Sequence, residues 1–220
     1  MNIIASGIFQ LNSIMIDQKI IANTTATIKI ALENADKIND QLSLIKDVLP
    51  ESCIDKLNAL LETNLDWKKV PFQENLNRQM IDWIPESIME ELHNVGDELT
   101  DTVKKYYSID NIKFQALQLW KDNQGYILNS HQDNPVIDIA MQLYLFSNNE
   151  SEGTTFVIDN KELHLPFKPN TGYILWKKSN EERIPHRTTS ISSGERITLY
   201  FTWSRFGKQA PDADDPAAFL

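Results

Sequence analysis

Two histidines and one aspartate are the residues of this chain best suited to hold a metal ion. His131 and Asp133 stand two positions apart, and alternate residues of an extended chain point to the same side. His186 comes much later in the chain, and Arg196 follows it by ten residues. Two imidazoles and one carboxylate form the facial triad that holds Fe(II) in proteins and leaves about three of its six coordination positions open. The sequence therefore predicts an iron site at His131, Asp133 and His186.

The positions of these residues in predicted strands strengthen a pair that is weak evidence by itself. His131 and Asp133 end one predicted strand and His186 lies in another, so two sheets packed face to face could bring them together. The alternative is that all three are polar residues held by structural hydrogen bonds. His164 stands between two leucines, and we do not expect it to bind metal.

Arg196 is the second candidate for chemistry. Fe(II) activates oxygen only when a co-substrate supplies electrons, and a keto acid with a distal carboxylate would chelate iron at one end and need a cation at the other. A guanidinium offers a permanently charged, bidentate partner for that carboxylate. If the strands of His186 and Arg196 pair and turn near Ser193, the two residues are roughly four positions apart along the ladder, or about 13 Å at about 3.3 Å per residue. A five-carbon diacid together with an arginine side chain spans that distance. Thr198 shares the face of Arg196 and would add a hydroxyl. The alternative is a surface arginine after a turn.

Eight short β-type segments after residue 108 would position these side chains. Turn-forming residues separate them, and their number and spacing predict a sandwich or barrel of the jelly-roll type. The segments are 113–120, 126–130, 137–146, 154–158, 161–165, 172–176, 184–189 and 196–203.

Helices are predicted before this β region. Apolar residues recur every three or four positions over 51–63 and over 85–107, which indicates two helices with one buried face each. A short strand is predicted at 42–48, whereas 1–41 shows no clean period. Segment 67–83 is predicted to be either a flap or a surface hairpin.

Composition limits the class of protein. The 220 residues are 41% hydrophobic and 24% charged, as in a globular protein with a buried core. The formal charge of -10 repels nucleic acid and anionic membrane surfaces. The single cysteine, Cys53, suits a reducing compartment and is predicted to be buried. No apolar run is long enough to cross a membrane, and we expect a cytoplasmic protein. One domain is predicted at 1–206, followed by a mobile acidic tail at 207–220.

The sequence resembles the superfamily of 2-oxoglutarate- and Fe(II)-dependent oxygenases, in particular its prolyl-hydroxylase-like branch. The likeness runs from about residue 42 to 206. It includes Trp-Lys-Asp-Asn-Gln-Gly-Tyr before Ser-His-Gln-Asp-Asn, then Met-Gln-Leu-Tyr-Leu, Gly-Thr-Thr-Phe, and Pro-His with an arginine ten residues later. The resemblance implies an α+β fold: a double-stranded β-helix (a jelly-roll, cupin-like core) at 113–206, helical support at 42–112 and an N-terminal extension at 1–41.

The resemblance also implies roles for individual residues. His131, Asp133 and His186 would hold iron, and Arg196 would bind the distal carboxylate of 2-oxoglutarate. Tyr144 would donate its hydroxyl to that carboxylate. Gln142, on the same face as Tyr144, and Thr198 are further candidates for the co-substrate site. Trp120 stands where related enzymes often carry a tyrosine, and we expect it to form hydrophobic lining.

The implied reaction is hydroxylation of a C–H bond, with O2 consumed and succinate and CO2 released, and with ascorbate as a possible stimulant. A peptidyl or free amino-acid side chain is the expected substrate, by analogy with the branch. Asp133 favours hydroxylation, because halogenating relatives carry a small residue there. Nucleic-acid demethylases place a second arginine six residues after the first, where this chain has Thr202. A cupin-like module that binds metal without turnover is the other alternative, and it predicts no succinate.

Five residues are expected to line the substrate entrance, for a small-molecule or peptide substrate. They are Arg78, Trp83, Arg187, Thr202 and Trp203.

Overall fold

The structure is a computed structural model that describes residues 17–70, 77–82, 84–134, 136–177 and 183–205. Trp83 and the predicted tail at 207–220 lie outside the described residues, so the predictions made for them stay predictions.

The helices cover one side of a large sheet. They are α1 (Gln18–Glu33), α2 (Glu51–Leu61) and α3 (Ile88–Tyr107). α2 and α3 confirm the predicted helices; α3 begins after Ser87, whose hydroxyl accepts the N–H of Met89, as an N-cap does. None of the described helices is both long and apolar enough to cross a membrane.

Helix α1 was not predicted, and its buried face explains why. Thr24 and Thr25 occupy buried positions on that face, beside the apolar residues Ile21 and Ile28. Two polar residues in the buried stripe interrupt the apolar period by which a helix is recognised in sequence.

All eight strands predicted after residue 108 are present, and short strands from the N-terminal half extend them. The major sheet has the order β1-β2-β10-β7-β12-β5-β4-β3, and the minor sheet has the order β6-β11-β8-β9. Every strand pair in both sheets is antiparallel. The strands are β1 (Asp36–Lys37), β2 (Leu42–Lys46), β3 (Lys68–Lys69), β4 (Arg78–Ile81), β5 (Lys113–Asn123), β6 (Leu128–His131), β7 (Ile139–Ser147), β8 (Thr154–Ile158), β9 (Lys161–Leu165), β10 (Thr171–Trp176), β11 (His186–Thr188) and β12 (Glu195–Ser204).

The arrangement of two sheets confirms the predicted jelly-roll core but corrects one pairing. β11 pairs with β6 and β8, whereas β12 pairs with β5 and β7. His186 and Arg196 are therefore on different sheets and not on paired strands. The distance of about 13 Å predicted between them along one pair of strands therefore does not apply. The two side chains enter the space between the sheets from opposite sheets.

The two faces of the major sheet have different roles. Odd-numbered residues of β12, such as Leu199 and Phe201, belong to the apolar core that includes Leu92 and Val95 of α3. The alternate residues of β12 face the minor sheet. A second, smaller core between the sheets includes Phe156 of β8 and Tyr173 of β10. Most of the buried apolar residues belong to the core between the major sheet and the helices. The face of the major sheet that looks toward the minor sheet can therefore hold polar side chains.

The segment predicted as a flap or hairpin contains paired strands. β3 pairs with β4, and β4 pairs in turn with β5, so this hairpin extends the edge of the major sheet. Arg78 stands opposite Asp122 in that pairing. The hairpin therefore brings an arginine from the N-terminal half to the interior of the β core.

Candidate metal centre

The structure brings His131, Asp133 and His186 together, and we call these three residues the metal group. His131 ends β6 and His186 begins β11, and the two are directly opposite in the strand pair. Their ring centroids are 4.3 Å apart, and Asp133 Oδ1 lies 3.6 Å from His186 Nε2. One ligand atom from each residue lies within 4.8 Å of the other two. Three side chains can therefore reach one ion.

Backbone carbonyls set the orientation of both imidazole rings. His131 Nδ1 is 3.0 Å from the carbonyl oxygen of Asn129, and His186 Nδ1 is 3.3 Å from that of Ile184. A proton on Nδ1 that is donated to a carbonyl leaves the Nε2 lone pair available to a metal. Burial and the neighbouring His186 lower the pKa of His131, although Asp133 opposes them. The neutral imidazole that metal binding requires is thus favoured, and the donor set fits a ferrous ion.

Arg183 lies next to this metal group. Its Nη1 is 4.0 Å from Asp133 Oδ2, and its side chain is 10% exposed. Nε and Nη2 are buried and have no hydrogen-bond partner within the described part of the chain. Burial lowers the pKa of Arg183, although Asp133 raises it. A guanidinium that needs partners therefore faces the metal group.

Asp122 joins two arginines deeper in the interior, and we call Arg78, Asp122 and Arg196 the arginine–aspartate cluster. Arg78 donates from Nε and Nη2 to the two carboxylate oxygens. Arg196 donates from Nε to Asp122 Oδ2 at 2.9 Å and from Nη1 to the carbonyl of Glu152 at 3.0 Å. Burial would raise the pKa of Asp122, but Arg78 and Arg196 lower it below its ordinary value. Two guanidinium groups and one ionised carboxylate leave one positive charge in a nearly solvent-free site.

Aromatic side chains surround that charge. The guanidinium of Arg78 lies 4.7 Å from the ring centroid of Trp120 and 4.3 Å from that of Tyr126. Trp120 Nε1 and the Tyr126 hydroxyl are buried without a hydrogen-bond partner in the described ranges. Trp120 thus packs its ring against Arg78 and adds a buried donor for which the described residues offer no acceptor. These polar groups fit a carboxylate, which would accept hydrogen bonds from them.

The remaining residues predicted for the co-substrate site also lie inside the β core. Gln142 Nε2 donates to Thr198 Oγ1 at 3.2 Å, and the side-chain oxygen Oε1 of Gln142 accepts from the Tyr173 hydroxyl. The Tyr144 hydroxyl donates to Thr154 Oγ1 at 2.7 Å. Burial raises the pKa of Tyr144 to about 12, so the phenol keeps its proton. In this structure the Tyr144 proton is directed at Thr154.

Comparisons with known proteins agree with this architecture. A prolyl-4-hydroxylase from Pseudomonas putida superposes with a TM-score of 0.62 at 14% identity, covering 83% of this chain and all of that one. A 2OG-Fe(II) oxygenase family protein from Burkholderia pseudomallei gives 0.59 at 12% identity, with 84% and 90% covered. A viral collagen prolyl hydroxylase from Paramecium Bursaria Chlorella virus-1, in complex with 2OG, gives 0.54 at 17% identity, with 74% and 95% covered. No family model and no curated protein matches the sequence.

The chain has the 2-oxoglutarate/Fe(II) oxygenase fold. The structural likeness includes prolyl hydroxylases, in agreement with the branch that the sequence motifs indicated. Within this oxygenase fold the metal group joins the end of one minor-sheet strand to the start of another.

Two of the predicted entrance residues point away from the metal group. Trp203 is fully buried against the helices, stacks on Phe201 and donates from Nε1 to Thr100 of α3. Arg187 alternates with the buried His186 and forms a bidentate ion pair with Glu162 on the outer face of the minor sheet. The prediction is therefore wrong for both, because each lies on the outward side of its sheet.

The other two described entrance residues face the interior of the oxygenase fold. Thr202 is buried between Ala116 and Ala140. Arg78 is paired with Asp122 and only 12% exposed, so it lies deeper than an entrance residue would.

Sequence reasoning missed Asp122 and Arg183. Asp122 alternates with Lys121 at the end of β5, and a polar residue there reads as part of a solvent face. In this fold Asp122 is buried on the face of β5 that lies between the two sheets. A polar residue in this strand therefore does not indicate a solvent-exposed face. Arg183 lies just before β11, outside any strand, so no alternation in the sequence indicates which way its side chain points. Its position three residues before His186 was the one signal that could have identified it.

Proposed function

We propose that the protein is a 2-oxoglutarate- and Fe(II)-dependent oxygenase that hydroxylates a C–H bond. The balanced reaction joins one oxygen atom of O2 to the substrate carbon and the other to the decarboxylated co-substrate, so that substrate, 2-oxoglutarate and O2 give alcohol, succinate and CO2. The substrate is a small molecule or peptide, such as a peptidyl or free amino-acid side chain.

The convergence of the metal group carries this proposal. Three residues of the types that hold Fe(II) in a facial triad meet at one point, although the third is far from the others in sequence. His131 and His186 would bind through Nε2, because Nδ1 of each faces a backbone carbonyl. Asp133 would supply the carboxylate. Bound iron would activate O2 with electrons from the keto acid.

The arginine–aspartate cluster supports a dicarboxylic co-substrate. Its surplus positive charge would be neutralised by the distal carboxylate of 2-oxoglutarate, and charge-assisted bonds to guanidinium groups are strong in a dry site. Trp120 and Tyr126 each contribute a buried donor for which the described residues provide no acceptor. A bound carboxylate could accept hydrogen bonds from both donors. We propose that Arg78 shares this role with Arg196, because every nitrogen of Arg196 already contacts Asp122 or Glu152.

The other inward-facing residues would exclude water and orient the reactants. Phe156 and Tyr173 place their rings 5.9 Å and 6.3 Å from the His186 ring. Gln142 is held between Tyr173 and Thr198, which fixes the direction of its amide. A rigid, largely dry wall of this kind keeps a reactive centre from unproductive reactions.

Two observations favour a small-molecule or peptide substrate over a nucleic acid. The position of a second arginine is held by Thr202, between two alanines, so the described β12 offers no further cation there. The formal charge of -10 opposes a polyanion.

The test is conversion of 2-oxoglutarate to succinate with Fe(II), O2 and ascorbate, with and without candidate substrates. We expect turnover by the wild type and none by His131→Ala. The matched control is His164→Ala, because His164 contacts Thr155 and Ser151 outside the metal group. Metal binding without any succinate from the wild type would instead indicate a cupin-like binding module.

A further inference from the structure

The guanidinium of Arg183 lies in the interior, where the described residues do not supply the partners that a buried charge requires. Its side chain is nine-tenths buried, and two of its three nitrogens lack a hydrogen bond to any residue that the structure describes. A buried donor without an acceptor costs about 1–3 kcal/mol, and more when the group is charged. Such an arrangement is stable in a folded protein when a ligand or bound solvent supplies the acceptors.

The contact with Asp133 does not satisfy this group. Nη1 lies 4.0 Å from Asp133 Oδ2, whereas a charge-assisted hydrogen bond is about 2.7–2.9 Å long. The other oxygen of the same carboxylate faces His186 Nε2 at 3.6 Å. A metal held by the metal group would draw on the charge of Asp133, so the positive charge of Arg183 would be even less compensated in the loaded protein.

A further anion is the ligand that complements this site, and the site lies beside the metal group. One oxygen of Asp133 faces Arg183 and the other faces His186. An anion held by Arg183 would therefore lie close to a metal bound by the metal group. Within the described residues, the arginine–aspartate cluster gives the distal carboxylate of 2-oxoglutarate a separate cationic site. The anion at Arg183 is therefore expected to belong to the molecule that is oxidised.

We propose that Arg183 binds a carboxylate of the substrate, so that the substrate class is a small carboxylic acid, such as a free amino acid. This inference rests on the proposed function, because it assumes that the metal group is the reaction centre. It narrows that proposal, since an internal residue of a peptide has no carboxylate on its main chain.

The experiment measures binding, separately from turnover. Protein loaded with Ni(II) and 2-oxoglutarate is titrated with the free L-amino acids and with their primary amides, which keep the shape but lose the negative charge. We expect at least one acid to bind the wild type tenfold or more tightly than its amide. Arg183→Gln should reduce acid binding to the level of the amide, and Arg183→Lys should restore part of the preference.

Arg187→Gln is the matched control, because Arg187 pairs with Glu162 on the outer face of the same region. It should retain the full preference for the acid. Affinities for Ni(II) and for 2-oxoglutarate are measured in every variant, and Arg183→Gln should leave both within twofold of the wild type.

Several results would overturn the proposal. Equal binding of acids and amides, or no binding by any acid, would remove the carboxylate site. A loss of Ni(II) affinity in Arg183→Gln would show that the arginine positions Asp133, and a loss of 2-oxoglutarate affinity would assign it to the co-substrate. Failure of the wild type to bind Ni(II) or 2-oxoglutarate would instead count against the proposed function itself.

Discussion

Asp122 of β5 and Arg196 of β12 face each other across paired strands, with Oδ2 of the carboxylate 2.9 Å from Nε of the guanidinium. Arg78 of β4 reaches the same carboxylate from the other side. The arginine predicted to bind the co-substrate therefore lies within a cluster of three charges, and we expect its affinity for a diacid to depend on all of them.

Replacing Arg78 with alanine should weaken 2-oxoglutarate binding by tenfold or more, because the remaining Asp122–Arg196 pair has no surplus positive charge. A hydrogen bond to a charged group contributes about 1.5–3 kcal/mol, or roughly 10- to 100-fold in affinity. Titration calorimetry with Ni(II)-loaded protein gives the dissociation constant. Lys121→Ala is the control, since that lysine lies over the Trp67 ring; unchanged affinity in Arg78→Ala would remove Arg78 from the site.

Removal of the Asp122 carboxylate should destabilise the fold at neutral pH. Asp122→Ala leaves two guanidinium groups without their buried counter-charge, which costs about 3–5 kcal/mol in the free energy of unfolding. The exposed Asp101, which forms an ion pair with Lys104 on the surface of α3, provides the control variant Asp101→Ala. Urea unfolding monitored by tryptophan fluorescence measures both, and equal stabilities would contradict the buried cluster.

The contribution of Asp122 should also depend on pH in a defined direction. Its folded pKa lies below the ordinary value, so its stabilisation is fully present above the unfolded pKa of about 3.9 and disappears as pH falls through the folded pKa. The stability difference between wild type and Asp122→Ala should therefore be constant above about pH 5 and shrink below about pH 4. A difference that grows on acidification would contradict this sign.

Trp203 should contribute to stability and not to substrate selection. Trp203→Ala opens a cavity between β12 and α3, and losses of about 3–5 kcal/mol are usual for such truncations. Trp203→Phe keeps most of the packing but loses the hydrogen bond to Thr100, so a smaller loss is expected. Unfolding curves are compared with Ni(II) and 2-oxoglutarate affinities, which should stay unchanged; altered affinities with full stability would return Trp203 to the site.

Cys53 should be unreactive in the folded protein. It is fully buried, and burial raises the pKa of its thiol to about 12, so the nucleophilic thiolate is scarce at neutral pH. A chromogenic disulfide reagent should react with one thiol per chain in denaturant and with almost none under native conditions. Rapid labelling of the native protein would contradict this burial.

Much of the fold followed from local patterns. The eight strands of the β region were delimited by turn residues and by strand-type composition, and α2 and α3 by apolar residues at helical spacing. The metal group was predictable for a chemical reason, because few residue types bind Fe(II) and His131, Asp133 and His186 formed a complete set. Helix α1 was hidden because threonines interrupt its buried face.

The tertiary structure decided which way each side chain points. Alternation along a strand separates two faces but does not say which one lines the space between the two sheets. Trp203 and Arg187 were predicted to face that space, whereas Trp203 packs against the helices and Arg187 pairs with Glu162 on the outer face of the minor sheet. The charges around Asp122 come from β4, β5 and β12, and no spacing in the sequence relates them. Arg183 lies beside the metal group because the residues just before β11 pass close to Asp133. Ligand identity is a property of residue type and is visible in sequence, whereas charge compensation is a property of distance and exists only in the folded chain.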